Sequence, residues 1–435
     1  MQITLPWGHE ILTLALPEDW RLNGVYEPAV GAQTVNPLDA AERALAAPVG
    51  SPRLSELVKP GARVVVVIDD GSRPTPVAQM MPAAWAELRR AGVTGAGVTV
   101  LPALGLHRPM SEEEIMRRAG PLPEGVRTEN PDCDDPQKLA YLGTTSRGTP
   151  VWVNRTVAEA DVIVSVGCIE PHIIASFGGG YKNIVPGVAG RATVAHNHAL
   201  NCAPATFNMV GQAIERNPMR LDLEEAAAMV KGKVFVINTI LNHCQEVIQV
   251  VAGDPVAAHR AGAAASAALY GVKVSRAADV VITTSHPMDS DLRQGVKALA
   301  NTIRAVKPGG AMITLVRAEE GVGVFGLANR KLPLGRGALQ ILAPALLRVV
   351  PKIKLKGMGE EDRFFLYFAL QAMRRARLLM YAPTIPAATQ ENLPFVTFAP
   401  SVEAAVDMAR VRLPRGAEVA VFPHGGITYP LVEAA

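Results

Sequence analysis

Along this chain, short apolar runs rich in β-branched residues alternate with stretches whose apolar positions recur every three to four residues. The runs 64–68, 98–101, 162–166, 234–237, 280–282 and 312–315 are continuous rather than alternating, which predicts strands buried on both faces. Between them, 77–90, 255–270 and 292–306 carry helical periodicity. That alternation predicts βαβ units, hence an α/β protein of mostly parallel sheets flanked by helices. Ser111, followed three residues later by Glu114, is a capping box and predicts a helix start just after the 105–109 loop. A new strand and helix series begins near residue 279, so two domains are expected, 1–270 and 271–435.

The residues after the strands change the picture from fold to chemistry. The first five apolar runs lead into Asp69-Asp70-Gly71-Ser72-Arg73-Pro74, Gly105-Leu106-His107-Arg108, Glu170-Pro171-His172, Asn242-His243 and His286-Pro287-Met288-Asp289. Open α/β sheets bind ligands outside the carboxyl ends of their strands, so these loops are expected to converge on one crevice. A single histidine or aspartate in a loop is more often a cap or a surface pair. Five polar strand ends in succession favour an enzyme.

Composition narrows the options. Hydrophobic residues make up 49% of the 435, with aromatics only 5%, as in helix-covered parallel sheets rather than a β-sandwich. The formal net charge of +3 is small and dispersed, which argues against nucleic acid and is compatible with an anionic small molecule. No apolar run reaches membrane-spanning length, and 1–16 lacks a basic stretch followed by a long apolar one; a cytoplasmic protein is expected. Four cysteines, far apart and without a Cys-x-x-Cys pair, support neither a disulfide framework nor a zinc knuckle.

Two nucleotide motifs fail on inspection. In Gly178-Gly179-Gly180-Tyr181-Lys182 the lysine is followed by Asn183, so this is no P-loop. Gly321 to Gly326 spells Gly-x-Gly-x-x-Gly, but Ala318-Glu319-Glu320 separates it from the preceding strand and no acidic residue follows at the right interval, so a turn is expected. His196-Asn197-His198 offers two imidazoles, yet residues two apart share a face only on a strand, and no thiol or carboxylate lies at metal-ligand spacing. A metal site there stays open.

Taken in order, Asp70-Gly71-Ser72-Arg73-Pro74, Gly105-Leu106-His107-Arg108-Pro109, Glu170-Pro171-His172, Gly179-Gly180-Tyr181-Lys182, His198 and Gln294-Gly295-Val296-Lys297 resemble the nickel-dependent lactate racemase family. The resemblance implies two α/β domains with the site in the cleft between them, and an isomerase that racemises or epimerises a 2-hydroxy carboxylic acid. The implied cofactor is a nickel-pincer nucleotide, a pyridinium mononucleotide whose thiocarboxyl arms bind nickel, made by separate cofactor-synthesis enzymes. The implied chemistry is reversible hydride transfer through a 2-keto acid.

By the same resemblance Lys182 is the covalent attachment point, His198 the nickel ligand, and His107 and His172 the acid/base pair. Asp70, Gly71, Ser72, Arg73, Gly178, Gly179 and Gly180 border the cofactor; Arg73, Gln294 and Lys297 hold the substrate carboxylate. Arg293 stands where the lactate enzymes commonly carry tyrosine, which implies a pocket enlarged or recharged for a longer hydroxy acid. Two rivals remain from the residues alone: a zinc-dependent hydrolase using His196 and His198, and a non-enzymatic binding protein for an anionic metabolite.

Overall fold

The computed structural model describes residues 1–29, 32–323, 325–353 and 359–432. The chain forms two compact units, each discontinuous in sequence: Gly31–Leu200 with Ala213–Ala268, and Met1–Val30 with Asn201–Gln212 and Leu269–Ala435. The boundary expected at residue 270 lies beside the division at Ala268/Leu269, and Met1–Val30 and Asn201–Gln212 group with the C-terminal part. Among the described residues no helix is long and apolar enough to cross a membrane.

The first unit is built on six strands, β1 (Val64–Asp69), β2 (Val98–Ala103), β3 (Arg127–Thr128), β4 (Val162–Cys168), β5 (Lys233–Leu241) and β6 (Val247–Gly253). They lie in the order β6-β5-β4-β1-β2-β3, and all pairs are parallel except β5 with β6. Every residue of β1 and β4 is buried, which is why both read as unbroken apolar runs. Fully burying one Val or Ile side chain contributes roughly 1.5–3 kcal/mol, so these two strands are strong organisers of the fold. Helix Val77–Arg90 buries Val77, Met80, Met81, Ala84, Trp85 and Leu88, an i, i+3, i+4 stripe, in the same core as alternate residues of β1, β2 and β4.

The second unit has its own six-stranded, wholly parallel sheet, in the order Thr397–Phe398, Arg377–Tyr381, Val306–Leu315, Ala278–Thr284, Glu418–Phe422, Arg21–Val25. A hairpin of Gln2–Trp7 with Glu10–Ala15 contributes Ile3, Leu5, Trp7 and Leu14 to its core. The single helix expected over 292–306 is broken into Leu292–Gly295 and Lys297–Thr302, with Val306 already opening a strand. Of the Gly-x-Gly-x-x-Gly segment, Gly321 and Gly323 adopt the left-handed turn conformation, and Val324 lies outside the described residues.

Candidate active site

In the first unit the chain enters the sheet at β1, moves outward through β2 and β3, then returns to the other side of β1 with β4, β5 and β6. The strand order therefore reverses between β1 and β4, the place where an open α/β sheet leaves a crevice beyond its carboxyl ends. Three polar segments meet there: Asp69–Arg73 after β1, Gly105–Arg108 after β2, and Glu170–His172 after β4. The fourth expected segment, Asn242-His243, is instead the β5–β6 hairpin turn, with Asn242 Nδ2 donating to Glu246 Oε2 at 2.8 Å. The fifth, 286–289, belongs to the other sheet.

The first three are cross-linked. Asp70 Oδ2 lies 2.5 Å from His107 Nδ1, and Asp70 Oδ1 accepts from the Ser72 hydroxyl at 2.6 Å. Burial disfavours the Asp70 charge, but His107, Ser72 and Arg73 together outweigh it and bring the carboxyl down to about 2. Arg73 forms an ion pair with Glu170, so strands β1 and β4 are tied at their ends. Burial opposes the Arg73 charge; Glu170 and the nearby acidic groups hold the guanidinium above the ordinary arginine range. Behind them Asp69, lifted by burial to about 6, takes hydrogen bonds from Thr75 and Arg118. Burial and Glu170 also raise the Cys168 thiol, which makes it a poor nucleophile.

The partners fix the histidine tautomers. An ionised Asp70 only accepts, so His107 Nδ1 carries its proton and the neutral ring keeps its lone pair on Nε2. His172 is the reverse: its Nδ1 accepts from the backbone N–H of Ile174 and Ala175 at 3.2 and 3.1 Å, which places the proton of the neutral ring on Nε2. In the neutral rings the Nε2 of His107 is thus an acceptor and the Nε2 of His172 a hydrogen-bond donor.

Between His172 and Lys182 the chain makes a two-residue ladder, Pro171–His172 against Ser176–Phe177, then the glycine turn and a single helical turn, Gly180–Asn183. Gly179 and Gly180 have φ of +76° and +62°. A Cβ on Gly179 would sit 2.5 Å from Ile169 Cγ1, and one on Gly180 2.7 Å from Arg220 Nη2, so only glycine fits. The turn is not a phosphate cradle: Gly178 N donates to Glu170 O and Gly180 N to Asn238 Oδ1, each at 2.8 Å. Its glycines allow close packing under Lys182 instead.

His196 and His198 lie on the helix Arg191–Ala199, where residues two apart point about 200° from one another. They have separate partners. His196 Nδ1 is 2.8 Å from Thr149 Oγ1, whose own proton goes to the buried Asp222 at 2.7 Å; Asp222 also accepts from Thr145 and Asn197. His198 Nδ1 donates to Val194 O at 2.9 Å, which leaves Nε2 as the basic nitrogen of the neutral ring, the arrangement usual in a metal ligand. This geometry removes the His196/His198 pair as joint ligands of one zinc ion.

In the second unit, Asp291 caps the turn Leu292–Gly295 by accepting from Gln294 N at 2.8 Å; Arg293 and Gln294 lie on that turn. Gln294 Oε1 is buried with no hydrogen-bond partner among the described residues. Lys297 opens the next helix, its Nζ 4.0 Å from Met288 Sδ. His286, 2.9 Å from Asp289 through Nδ1, lies with its ring centroid 5.3 Å from that of His424 and tilted 58° to it, at the ends of the two strands between which this second sheet reverses its order.

A family model described as the lactate racemase N-terminal domain matches residues 7–208. The lactate racemase of Thermoanaerobacterium thermosaccharolyticum is 30% identical over 329 residues, covering 74% of this chain and 76% of that one. The chain belongs to the lactate racemase family. The family's enzymes are isomerases, and so is this one. The lactate racemase of Lactiplantibacillus plantarum is 29% identical over 332 residues, again 74% of this chain and 76% of the relative. In fold, the apoprotein structure of the Thermoanaerobacterium lactate racemase superposes with a TM-score of 0.84 at 24% identity, covering 99% of this chain and 100% of that one. A Thermotoga maritima protein shares the fold at a TM-score of 0.65 and 16% identity, covering 92% and 100%.

The family resemblance implies nickel bound through a nucleotide, and the residues fit such a group. Among the described residues no three His, Cys, Asp or Glu side chains converge on a metal position. The His198 imidazole, with its tautomer fixed by Val194 O, suits a single metal–protein bond, and Lys182 follows the glycine turn at the switch-point end of the sheet. Sequence reasoning did not find the carboxylate behind His107 or the partner of Arg73. Asp70 and Glu170 stood in the motifs, but their pairing depends on which strands are neighbours.

Proposed function

We propose that this lactate racemase family member is a nickel-pincer-nucleotide-dependent racemase or epimerase of a 2-hydroxy carboxylic acid, working in the cytoplasm beside the enzymes that make the nucleotide. The observation that carries the reading is the pair of histidines beyond the strands that flank β1, His107 being backed by the Asp70 carboxylate. Racemisation needs a proton acceptor on one side of a planar intermediate and a donor on the other.

The Cα–H of a hydroxy acid is a very weak acid, so direct deprotonation is hard, and loss of hydride while a base takes the hydroxyl proton avoids the carbanion. When bound through Lys182 and His198, the nucleotide supplies reversible acceptance of that hydride. The protein does the remainder. His107 Nε2 takes the hydroxyl proton, and the Asp70 carboxylate, 2.5 Å from Nδ1, stabilises the imidazolium that results. His172 serves the opposite face of the planar 2-keto acid. Arg73 binds the substrate carboxylate, and Glu170 engages the Arg73 Nη1 and fixes the direction of the guanidinium fork; Gln294 and Lys297, in the second unit, are the other residues that the family resemblance implies for the substrate. Gln294 Oε1, buried with no hydrogen-bond partner among the described residues, is an acceptor that a ligand hydroxyl, and not a carboxylate, can satisfy.

Lactate is the acid for which the relatives are named, and Arg293 suits a longer acid with a polar end. The test is a chiral assay of nickel-loaded protein with enantiomerically pure 2-hydroxy acids. His107→Ala and His172→Ala should each keep fold and nickel and lose about 10²–10⁴-fold in turnover. Full activity in either variant contradicts a two-histidine mechanism.

A further inference from the structure

Lys182 and His172 are joined by a segment whose backbone is gripped almost residue by residue by side chains distant in sequence. Asn217 Nδ2 donates to Ile174 O at 2.7 Å and to Ser176 Oγ at 3.0 Å. Arg220 Nη1 donates to Phe177 O and Gly179 O at 3.4 and 3.2 Å, His259 Nε2 to Gly178 O at 2.9 Å, and Gly180 N to Asn238 Oδ1 at 2.8 Å.

The grip is itself held rigid. Arg220 Nε donates to Glu224 Oε1 at 2.7 Å, and Arg260 binds both oxygens of Glu224 at 2.7 and 2.8 Å. Arg260 also donates to His259 Nδ1 at 3.0 Å, so His259 has one possible tautomer, with its proton on Nε2 toward Gly178. Burial, then Arg220 and Arg260, keeps His259 neutral. Burial lowers Arg220 to about 10 against the pull of Glu224, which leaves it charged at neutral pH. Arg220 is fully buried, and its Nη2 has no hydrogen-bond partner among the described residues. Buried ion pairs of this kind stabilise little compared with apolar residues of the same volume, so their effect is better sought in geometry than in stability.

We propose that Arg220, His259 and Asn238 are positioning residues that set the spacing between the His172 imidazole and the Lys182 amine. The proposal rests on the reading above, in which His172 moves a proton and Lys182 carries the nucleotide. None of the three touches the reacting atoms; each acts through the backbone of the glycine turn.

The test uses His259→Leu, His259→Gln and Arg220→Lys in protein produced together with the cofactor-synthesis enzymes. Gln restores an N–H donor toward Gly178, and Lys retains the charge while losing the two-carbonyl fork. Three quantities are read: hydrogen exchange of peptides spanning 174–183, the fraction of Lys182 carrying the adduct by peptide mass, and kcat and KM per bound nickel. His259→Leu should speed exchange in that segment at least tenfold, lower the adduct fraction and reduce kcat about ten- to a hundredfold with little change in KM. His259→Gln should recover most of the loss. A purely structural role lowers the melting temperature and leaves exchange and kcat per nickel at wild-type values in the folded fraction, and that result overturns the proposal. If His259→Leu does not fold, Arg220→Lys with wild-type exchange and kcat overturns it equally. Faster exchange in the variants, together with an unmodified Lys182 in active wild-type protein, leaves the clamp standing and refutes the attachment reading instead.

Discussion

Replacing Asp70 by asparagine removes one charge and changes little in volume. The depression of Asp70 from its ordinary 3.8 to about 2 corresponds to about 2 kcal/mol of interaction favouring its ionised form, and His107 is the largest favourable contributor. Because the folded value lies below the unfolded one, this stabilisation is fully present above about pH 4 and is lost as pH falls through 2. At neutral pH, Asp70→Asn therefore forfeits a charge partner for the His107 imidazolium. If the amide oxygen faces Nδ1, the tautomer survives and a loss of about 2 kcal/mol slows the step roughly thirtyfold. If the amide nitrogen faces Nδ1, the proton moves to Nε2, and the loss rises to about 10²–10⁴-fold, that of a missing base. The expected fall in kcat is thus at least about thirtyfold between pH 6 and 9. Chiral chromatography of both reaction directions measures it. For a racemisation the equilibrium constant is one, so kcat/KM must fall by the same factor in both directions even though Asp70 backs only one histidine. Adding the substitution to His107→Ala should cost almost nothing further. Turnover within twofold of wild type refutes the assignment of His107 as an Asp70-backed base.

Nickel measured in purified protein should disappear with His198→Ala and persist with His196→Ala, since only His198 lies outside the Thr149–Asp222 network; the opposite pattern reverses the assignment. Peptide mass should show a pyridinium mononucleotide on Lys182, and Lys182→Ala should lose both the adduct and most of the nickel; active enzyme with an unmodified lysine contradicts this. Gly180→Ala should destabilise by about 2–5 kcal/mol in urea unfolding, from a left-handed backbone and contacts of 2.7 and 2.9 Å with Arg220 and Pro255. Gly71→Ala, in the same site but with open space around its Cβ, should change stability by less than about 0.5 kcal/mol.

The parts of the fold legible in sequence were those whose burial is local. Val64–Asp69 and Val162–Cys168 announce themselves because every position is buried, and Ser111 with Glu114 marks a helix start through bonds three residues long. What stayed hidden depends on contacts far along the chain. Arg21–Val25 pairs with Glu418–Phe422, and its half-exposed edge pattern gives no sign of that partner. The helix expected over 292–306 breaks at Val296, between Leu292–Gly295 and Lys297–Thr302, and a Cβ on Gly295 would meet Val316 Cγ1 at 2.4 Å. At the site, the residue types at the strand ends were readable, but not their distribution over two sheets. The pairing of Asp70 with His107 and of Arg73 with Glu170 follows from strand adjacency, which periodicity does not encode.

The central claim is that the hydrogen on Cα leaves and returns as hydride while the histidines handle only the hydroxyl proton. Racemisation of an enantiomerically pure, Cα-protio 2-hydroxy acid by the nickel-loaded protein in D2O tests it directly, with product analysed by chiral chromatography and mass spectrometry. The account predicts the opposite enantiomer with its Cα hydrogen largely retained. Complete incorporation of solvent deuterium at Cα on each turnover would mean deprotonation to a carbanion and would contradict it.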